Sequence, residues 1–260
     1  MPHPTSDRMA LVAAYASRMP ASHVFSHLTA AELLDLRLPE RWITGPLDVG
    51  ALHPVRAPKA RGVRGHELLP RTRVIEVGGV GVTAPVETWV ALASRLPVDD
   101  LIVMGDGLVC RKNPVASVDD LRAAVADARL RPGAAKLRRA LLEIRPRTDS
   151  ARETRLRLLL VRSGLPEPEV NGPILDAAGR FIGFGDLLYR AERLLLEYDG
   201  GDHRLDEHQF NRDVERLDDI METGVRVIRV NRELLANAPK LLAKVRRNLA
   251  ERGPVPHRDN

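Results

Sequence analysis

Residues 150–251 carry seven segments whose periodicity limits the fold of this chain more than any other feature. Apolar residues recur at helical spacing in three of them, and four short apolar runs are typical of strands. The predicted helices cover 151–163, 207–222 and 232–251, and the predicted strands cover 170–175, 181–189, 193–198 and 225–230. The resulting order, α-β-β-β-α-β-α, predicts a mixed α/β domain whose first two strands form a hairpin.

A domain boundary precedes this region at residues 145–149, Arg-Pro-Arg-Thr-Asp. Pro146 ends a helix there, and the flanking residues are polar. We therefore divide the chain into an N-terminal region, 1–146, and a C-terminal domain, 147–260. The N-terminal region is expected to be a smaller mixed α/β region, with helices at 7–19, 30–38, 85–96, 118–128 and 134–144 and strands at 74–77, 80–83 and 101–104.

Charge is distributed unevenly between these two parts. Residues 1–150 hold 21 basic and 16 acidic residues, whereas residues 151–260 hold 19 of each. The net charge of +5 thus comes from the first part, and a basic excess fits a nucleic-acid partner. A solvated loop in an Arg-rich soluble protein explains the same excess equally well. The candidate DNA contacts are the basic residues of the densest run, Arg56, Lys59, Arg61 and Arg64.

Composition excludes several classes of protein. The single cysteine, Cys110, excludes a disulfide scaffold and a zinc site built from several cysteines. No apolar run reaches the roughly 18–20 residues of a membrane helix, so we expect no membrane partner and a cytoplasmic location. Aromatic residues make up 3% of the 260 residues, which argues against single-strand binding by base stacking.

Acidic residues of the C-terminal domain fall where strands end. Asp186 lies in the second strand of the hairpin, Glu197 ends the next strand, and Asp199 follows two residues later. Glu153 lies in the first turn of the preceding helix, and His203 follows two glycines. Converging carboxylates repel each other, so a divalent cation is their natural partner. Oxygen ligands suit Mg²⁺, or Mn²⁺, which activates water and stabilises charge on a cleaved phosphodiester.

Each of these residues also has an ordinary explanation. Asp199 and the glycine after it form a good turn pair, and Glu197 fits an exposed charge at a strand end. Arg212 and Arg216 share one helix face and could grip phosphates. The two arginines could equally pair with the acids of their own helix, Asp213, Glu215 and Asp219.

Four segments together resemble the PD-(D/E)XK nuclease superfamily, and most closely its group related to the very-short-patch mismatch repair endonuclease. They lie within residues 150–231, about a third of the chain, and read Ser150-Ala-Arg-Glu-Thr-Arg-Leu156, Gly185-Asp-Leu187, Leu196-Glu-Tyr-Asp-Gly-Gly-Asp-His203 and Arg212-Asp-Val-Glu-Arg216. The resemblance implies a restriction-endonuclease-like core with metal-ligand acids at Asp186 and Glu197, a helix acid at Glu153 and a supporting His203. Residues 22–144 resemble the N-terminal region of actinobacterial members of this group, and antitoxins of abortive-infection systems.

One position departs from the superfamily motif. The motif has lysine two residues after the second acid, where this chain has Asp199, and no lysine lies between 137 and 239. The very-short-patch group also lacks that lysine. His203 or Arg212 must then supply the missing positive charge or base, if any residue does.

These features lead to a Mg²⁺-dependent DNA endonuclease as the expected function, in DNA repair or defence. The catalytic candidates are Glu153, Asp186, Glu197, Asp199 and His203, and DNA is the expected partner. The N-terminal region would position nucleic acid or mediate self-association, for example in a homodimer. The alternatives are a non-catalytic DNA-binding or antitoxin-like regulator with vestigial acids, and a protein-interaction module.

Overall fold

A computed structural model describes residues 4–199 and 207–252, without the side chains of 4–7, 40, 207–213 and 252. The chain divides into two compact units. The first comprises Met1–Val109 and Asn113–Ile144, and the second comprises Cys110–Lys112 and Arg145–Asn260. The main division lies two residues from the boundary predicted at 146/147. The first unit holds more residues than the second, so the expectation of a smaller N-terminal region was wrong.

The first unit is a mixed sheet accompanied by helices. Its strands lie in the order β3-β2-β1-β5-β4, with β2–β3 and β1–β5 parallel and the other pairs antiparallel. The described elements are α1 (Pro4–Ala16), β1 (His23–Phe25), α2 (His27–Leu33), a 3₁₀ turn (Glu40–Trp42), β2 (Leu47–Leu52), β3 (Val63–Leu68), β4 (Val74–Val77), β5 (Val80–Thr83), α3 (Pro85–Leu92), α4 (Val98–Leu108), α5 (Val118–Asp127) and α6 (Ala134–Glu143).

Apolar packing explains the arrangement of the first unit. One face of the sheet packs Phe25, Leu47, Val49 and Val82 against Val12 of α1. The remaining helices bury a second set of apolar side chains that includes Trp89, whose Nε1 donates to the Leu101 carbonyl at 2.9 Å.

Two predictions for the first unit were wrong, and a third stretch held strands that the sequence did not reveal. Residues 101–104 belong to α4 rather than to a strand. A short apolar run such as Leu-Ile-Val-Met is typical of a fully buried helix as well as of a strand, so the sequence did not distinguish the two. The helix predicted at 30–38 is α2, which begins earlier, at His27. The pattern Thr29-Ala-Ala-Glu32, typical of a helix cap, therefore lies inside the helix, and Thr29 does not cap it. Strands β2 and β3 lie within the Pro/Gly/Arg-rich stretch of residues 45–73.

The second unit has the predicted order of elements. They are α7 (Ala151–Arg162), β6 (Glu169–Leu175), β7 (Phe181–Tyr189), β8 (Leu194–Tyr198), α8 (Glu207–Glu222), β9 (Arg226–Val230), α9 (Arg232–Ala236) and α10 (Ala238–Arg252). The sheet order is β6-β7-β8-β9, antiparallel except for the parallel pair β8–β9. Asn231 caps α9, and Asn237 interrupts the single final helix predicted at 232–251.

Helices cover both faces of this sheet. On one face, Leu187, Leu196 and Ile228 pack against Leu156 of α7 and Leu241 of α10. On the other face, Ile174, Leu188 and Leu195 pack against Ile220 of α8. The alternation of side chains along β7 and β8 produces both sets, so each strand supplies two cores. No helix in the described ranges is long and apolar enough to cross a membrane.

Candidate functional site

Three neighbouring strands bring polar residues together at one place in the second sheet. The β7–β8 ladder runs to the pair Leu187–Leu196, so Asp186 and Glu197 lie opposite each other one step further on. Cross-strand neighbours in that relation have their Cβ atoms roughly 4.5–5.5 Å apart. The main-chain amide of Tyr198 donates to Asp186 Oδ2 at 2.8 Å. The Asp186 carboxylate thus accepts a backbone amide at the point where the backbone ladder ends. The two acids converge in the structure, as predicted.

The carboxylates of Asp186 and Glu197 repel each other electrostatically. Burial, followed by the negative charges of Glu197 and Glu153, raises the pKa of Asp186 well above its ordinary value. Burial also raises the pKa of Glu197, although the positive charge of Arg216 opposes the rise. Glu197 is 8% exposed. Carboxylates that resist ionisation in this way gain from a bound cation, which would remove both the repulsion and part of the burial cost.

Glu153 is the third acid of the group, and its position follows from the start of α7. Ser150 caps the helix, its Oγ accepting the Glu153 amide hydrogen at 3.1 Å. The buried Glu153 carboxylate accepts the Asp149 amide at 2.8 Å and Asn171 Nδ2 at 2.9 Å. Its charge reaches Asp186 and Glu197, where it raises both pKa values. Glu153 therefore orders the helix start and adds negative charge to the site.

Arg216 is the basic residue that contacts the site directly. Its guanidinium donates to both carboxylate oxygens of Glu197, each at 3.4 Å, and to the Phe184 carbonyl at 3.1 Å. One of its partners is thus Glu197, an acid of β8. The contact with DNA phosphate predicted for Arg216 stays a prediction. Arg212 lies one turn earlier in α8, and its side chain is outside the described ones.

Asp199, which stands where the motif has lysine, has a basic partner as well. Arg229 of β9 donates to Asp199 Oδ2 at 2.8 Å. The backbone amide of Asp199 donates to the Val230 carbonyl at 2.9 Å, which extends the β8–β9 pairing by one residue. The predicted role of Asp199 in catalysis stays a prediction, as does that of His203, which lies outside the described residues.

Asn171 belongs to this site, and the sequence analysis missed it. The pairs Val170–Leu187 and Gly172–Gly185 place it beside Asp186 in the neighbouring strand. It is 2% exposed, has a φ of 45°, and binds Glu153. An asparagine followed by glycine inside an otherwise apolar strand was the available signal, because buried polar side chains need partners.

Two arginines beside the acids were also missed. The guanidinium carbon of Arg111 lies 4.2 Å from the centre of the Phe184 ring, and that of Arg147 lies 5.7 Å from it. Arg111 also forms an ion pair with Asp149. Nothing in the order of the chain indicated Arg111, because residues 110–112 belong to the second unit while their neighbours on both sides belong to the first.

Four of the basic residues predicted to contact DNA, Arg56, Lys59, Arg61 and Arg64, lie in the first unit. Arg56, Lys59 and Arg61 are exposed in the connection between β2 and β3. Arg64 lies in β3, where its Nη1 is 3.5 Å from Asp48 Oδ1. Three of the four residues thus lie on an exposed loop, and the fourth, Arg64, lies beside a buried carboxylate.

The carboxylate oxygens of Asp186 and Glu197 are the type of ligand that Mg²⁺ prefers, and a cation between them would offset the repulsion of their charges. Within residues 4–199 and 207–252, no group of three or more His, Cys, Asp or Glu side chains is arranged as a ligand set. A magnesium ion commonly takes one or two carboxylates and completes its shell with water. Among the described side chains, this geometry thus offers Asp186 and Glu197 as the ligands.

Comparison with known proteins adds no assignment. No family model matches the chain, and no curated protein matches it. The functional argument therefore depends on the geometry and on the motif resemblance.

Proposed function

We propose that the second unit is a metal-dependent DNA endonuclease domain of the very-short-patch repair type. The observation that carries the proposal is the repelling pair of Asp186 and Glu197 across β7 and β8, with the charge of Glu153 close by. Burial of like charges costs free energy in the absence of a cation, so a fold retains such a pair only at some cost. The order α-β-β-β-α-β-α supports the proposal through the resemblance alone.

In this proposal Asp186 and Glu197 hold the cation. When bound, Mg²⁺ would supply an activated water and stabilise the negative charge that develops on the cleaved phosphodiester. Glu153 and Asn171 hold the start of α7 against β6 through the 2.9 Å hydrogen bond between them. Arg216 neutralises part of the charge of Glu197.

The missing lysine leaves a positive charge to be supplied. Arg216 contacts the site acid Glu197, and Arg111 and Arg147 lie on the Phe184 ring two residues before Asp186. A guanidinium presents several donors in a fixed plane, which suits phosphate oxygens. It is a poor general base, so a base, if one is needed, must come from another group such as His203.

A cleavage assay tests the proposal. Purified full-length protein is incubated with plasmid, mismatched duplex, single-stranded and branched DNA, with Mg²⁺ or Mn²⁺ and with EDTA. We expect cation-dependent cleavage of at least one substrate, loss of cleavage with EDTA, and loss in both Asp186→Asn and Glu197→Gln. Asp218→Asn, an exposed carboxylate of α8, should cleave like the wild type. Cleavage that survives Asp186→Asn would remove this pair from the reaction.

The second candidate function is a non-catalytic DNA-binding or antitoxin-like regulator that retains the fold. The observation that favours it is that Arg216 and Arg229 pair with Glu197 and Asp199, respectively, as in an ordinary ion-paired protein. This candidate predicts DNA binding that is unaffected by EDTA and no cleavage of any of the four substrates. Unchanged DNA affinity in Asp186→Asn, together with no cleavage by the wild type, would favour it over the nuclease.

A further inference from the structure

A second charged cluster lies in the first unit, around the buried residue Asp48 of β2. The Asp48 side chain is 1% exposed, yet three basic side chains reach it. His66 Nε2 lies 2.8 Å from Oδ1, Arg95 Nη1 lies 3.0 and 3.1 Å from the two oxygens, and Arg64 Nη1 lies 3.5 Å from Oδ1. The parallel pairing of β2 with β3 puts Arg64 directly beside Asp48.

Backbone contacts hold Asp48 in place from the other side. Its amide donates to Thr29 Oγ1 at 2.9 Å, and its carbonyl accepts the Ser26 amide at 3.0 Å. The ring of His27 stacks on the ring of His66, with 3.7 Å between their centres. The carboxylate and the imidazole are thus fixed before any ligand arrives, which is the condition for a site that loses little entropy on binding.

The charges of this cluster do not balance. Burial alone would raise the pKa of Asp48, but the hydrogen bond from His66 and the charge of Arg95 outweigh it and hold that pKa below its ordinary value. Asp48 is therefore ionised at neutral pH. The single negative charge of Asp48 faces the two guanidiniums of Arg64 and Arg95. The cluster therefore has an excess of one positive charge before any charge on His66 is counted. His27 adds none, because burial and the charge of His66 lower its pKa to about 3.

The two arginines also have N–H groups that Asp48 does not use. Arg95 meets Asp48 through Nη1 alone, and in the part of the chain that the structure describes no acceptor contacts its Nε or Nη2. Arg64 makes a single long contact. The Arg64 side chain is 45% exposed and that of Arg95 is 26% exposed, whereas the carboxylate beneath them is closed to solvent. The outer face of the cluster is therefore a pair of held guanidiniums that present free N–H groups.

We propose that Arg64 and Arg95 form a binding site for one phosphate group, with Asp48 and His66 as the residues that position them. Holding two guanidiniums beside one carboxylate costs repulsion that a single arginine would avoid, and a bound dianion or phosphodiester removes that repulsion. Buried Asp48 acts as an anchor because its own oxygens are already occupied by the basic groups. The proposal concerns the first unit alone and is independent of cleavage in the second.

Calorimetric titration of the full-length protein with inorganic phosphate, at constant ionic strength set with NaCl, tests the site. We expect saturable binding of one phosphate per chain. Arg64→Gln and Arg95→Gln should each weaken it about tenfold or more, since each removes a charge-assisted hydrogen bond. Arg122→Gln should bind like the wild type, because Arg122 is an exposed arginine of the same unit whose partner is Asp119. Absence of phosphate binding in the wild type, or equal affinity in all three variants, would overturn the proposal.

Folding is monitored in the same samples by thermal unfolding. Loss of Arg95 leaves Asp48 less well compensated and lowers stability, so Arg64→Gln, with its single long contact, provides the variant that keeps the fold. A variant that binds less phosphate at an unchanged melting temperature supports a ligand role. A variant whose affinity is unchanged while its melting temperature falls contradicts it and leaves a purely structural ion pair.

The source of the phosphate group is distinguished with two oligonucleotides of one sequence, with and without a 5′-phosphate. Binding of both that weakens equally in Arg64→Gln assigns the site to a backbone phosphodiester. A preference for the 5′-phosphorylated strand that disappears in Arg64→Gln assigns it to a terminal phosphate. An affinity for both strands that Arg64→Gln leaves unchanged would contradict a nucleic-acid source and restrict the site to small phosphate ions.

Discussion

Replacing Asp186 with asparagine separates the electrostatic role of this residue from its structural role. Asparagine has nearly the same shape and retains an oxygen that can accept the hydrogen bond from the Tyr198 amide, whose nitrogen lies 2.8 Å from Asp186 Oδ2. The hydrogen bond at the end of the β7–β8 ladder can therefore persist. What the change removes is the negative charge that faces Glu197.

The magnitude follows from the register of the two strands. Charges about 5 Å apart, at an effective dielectric constant of about 20, repel by roughly 3 kcal/mol. Arg216 offsets part of this at Glu197, and protonation of Asp186 relieves another part. We therefore expect metal-free Asp186→Asn to be more stable than the wild type by about 1–3 kcal/mol at neutral pH.

The sign of the pH dependence follows from the raised pKa of Asp186. Between the ordinary carboxyl pKa, about 4, and the raised value, the folded wild type binds more protons than the unfolded chain. Its stability therefore falls as the pH rises through that window. The advantage of the asparagine variant should be small near pH 4 and should grow toward neutrality.

Urea unfolding with EDTA and with Mg²⁺ provides the assay, with Asp218→Asn as the matched exposed carboxylate. A cation that binds only the folded wild type at 100 times its dissociation constant adds about 2.7 kcal/mol. The asparagine variant should gain much less. The reasoning is refuted if the metal-free variant is less stable than the wild type at pH 7, or if Mg²⁺ stabilises both proteins equally.

Three further predictions concern other parts of the chain. Burial holds the pKa of His27 at about 3, so folded His27 stays neutral while the unfolded chain takes up a proton below about pH 6.5. Stability should thus fall as the pH drops from 6.5 toward 3, by roughly 3–5 kcal/mol in total, and His27→Asn should remove that component; parallel pH profiles in urea unfolding would contradict this. Neutralising Arg56, Lys59 and Arg61 together should lower the log–log salt slope of duplex binding by up to about 0.9 per lost contact, whereas superimposable slopes would mean that this loop does not touch DNA. Gly185→Val should cost about 1–3 kcal/mol in thermal unfolding, because a Cβ there would lie 2.5 Å from a leucine side chain of β8; an unchanged melting temperature would show that the core yields.

The second unit was predictable because its local signals agree with its packing. Ser150 caps α7, the turn at 176–179 joins β6 to β7, and the spacing of apolar residues in 207–222 matches α8. These features act within a few residues of the chain, so sequence patterns capture them. Convergence of Asp186 and Glu197 followed from strand order, since the antiparallel pairing of β7 with β8 brings Asp186, inside β7, beside Glu197, near the end of β8.

The first unit resisted prediction because long-range contacts decide it. Thr29 looked like a helix cap, but its hydroxyl accepts the amide of Asp48, 19 residues away. β2 and β3 are paired in parallel, so neither has a hairpin partner that a turn would reveal. Arg64 was singled out for charge alone, and its link to buried Asp48 required the register of the sheet.

The ion pair between Arg216 and Glu197 competes with any cation for the same carboxylate. A cation that takes Glu197 must displace the guanidinium, so the measured cation affinity includes the free energy of breaking two 3.4 Å contacts. The released guanidinium is then available to an anionic group, and a phosphate that captures it makes the next cation easier to bind. By thermodynamic reciprocity, the cation must strengthen phosphate binding by the same factor. In a site of the proposed kind, cation and DNA would therefore load together, with one arginine as the exchanged counterion.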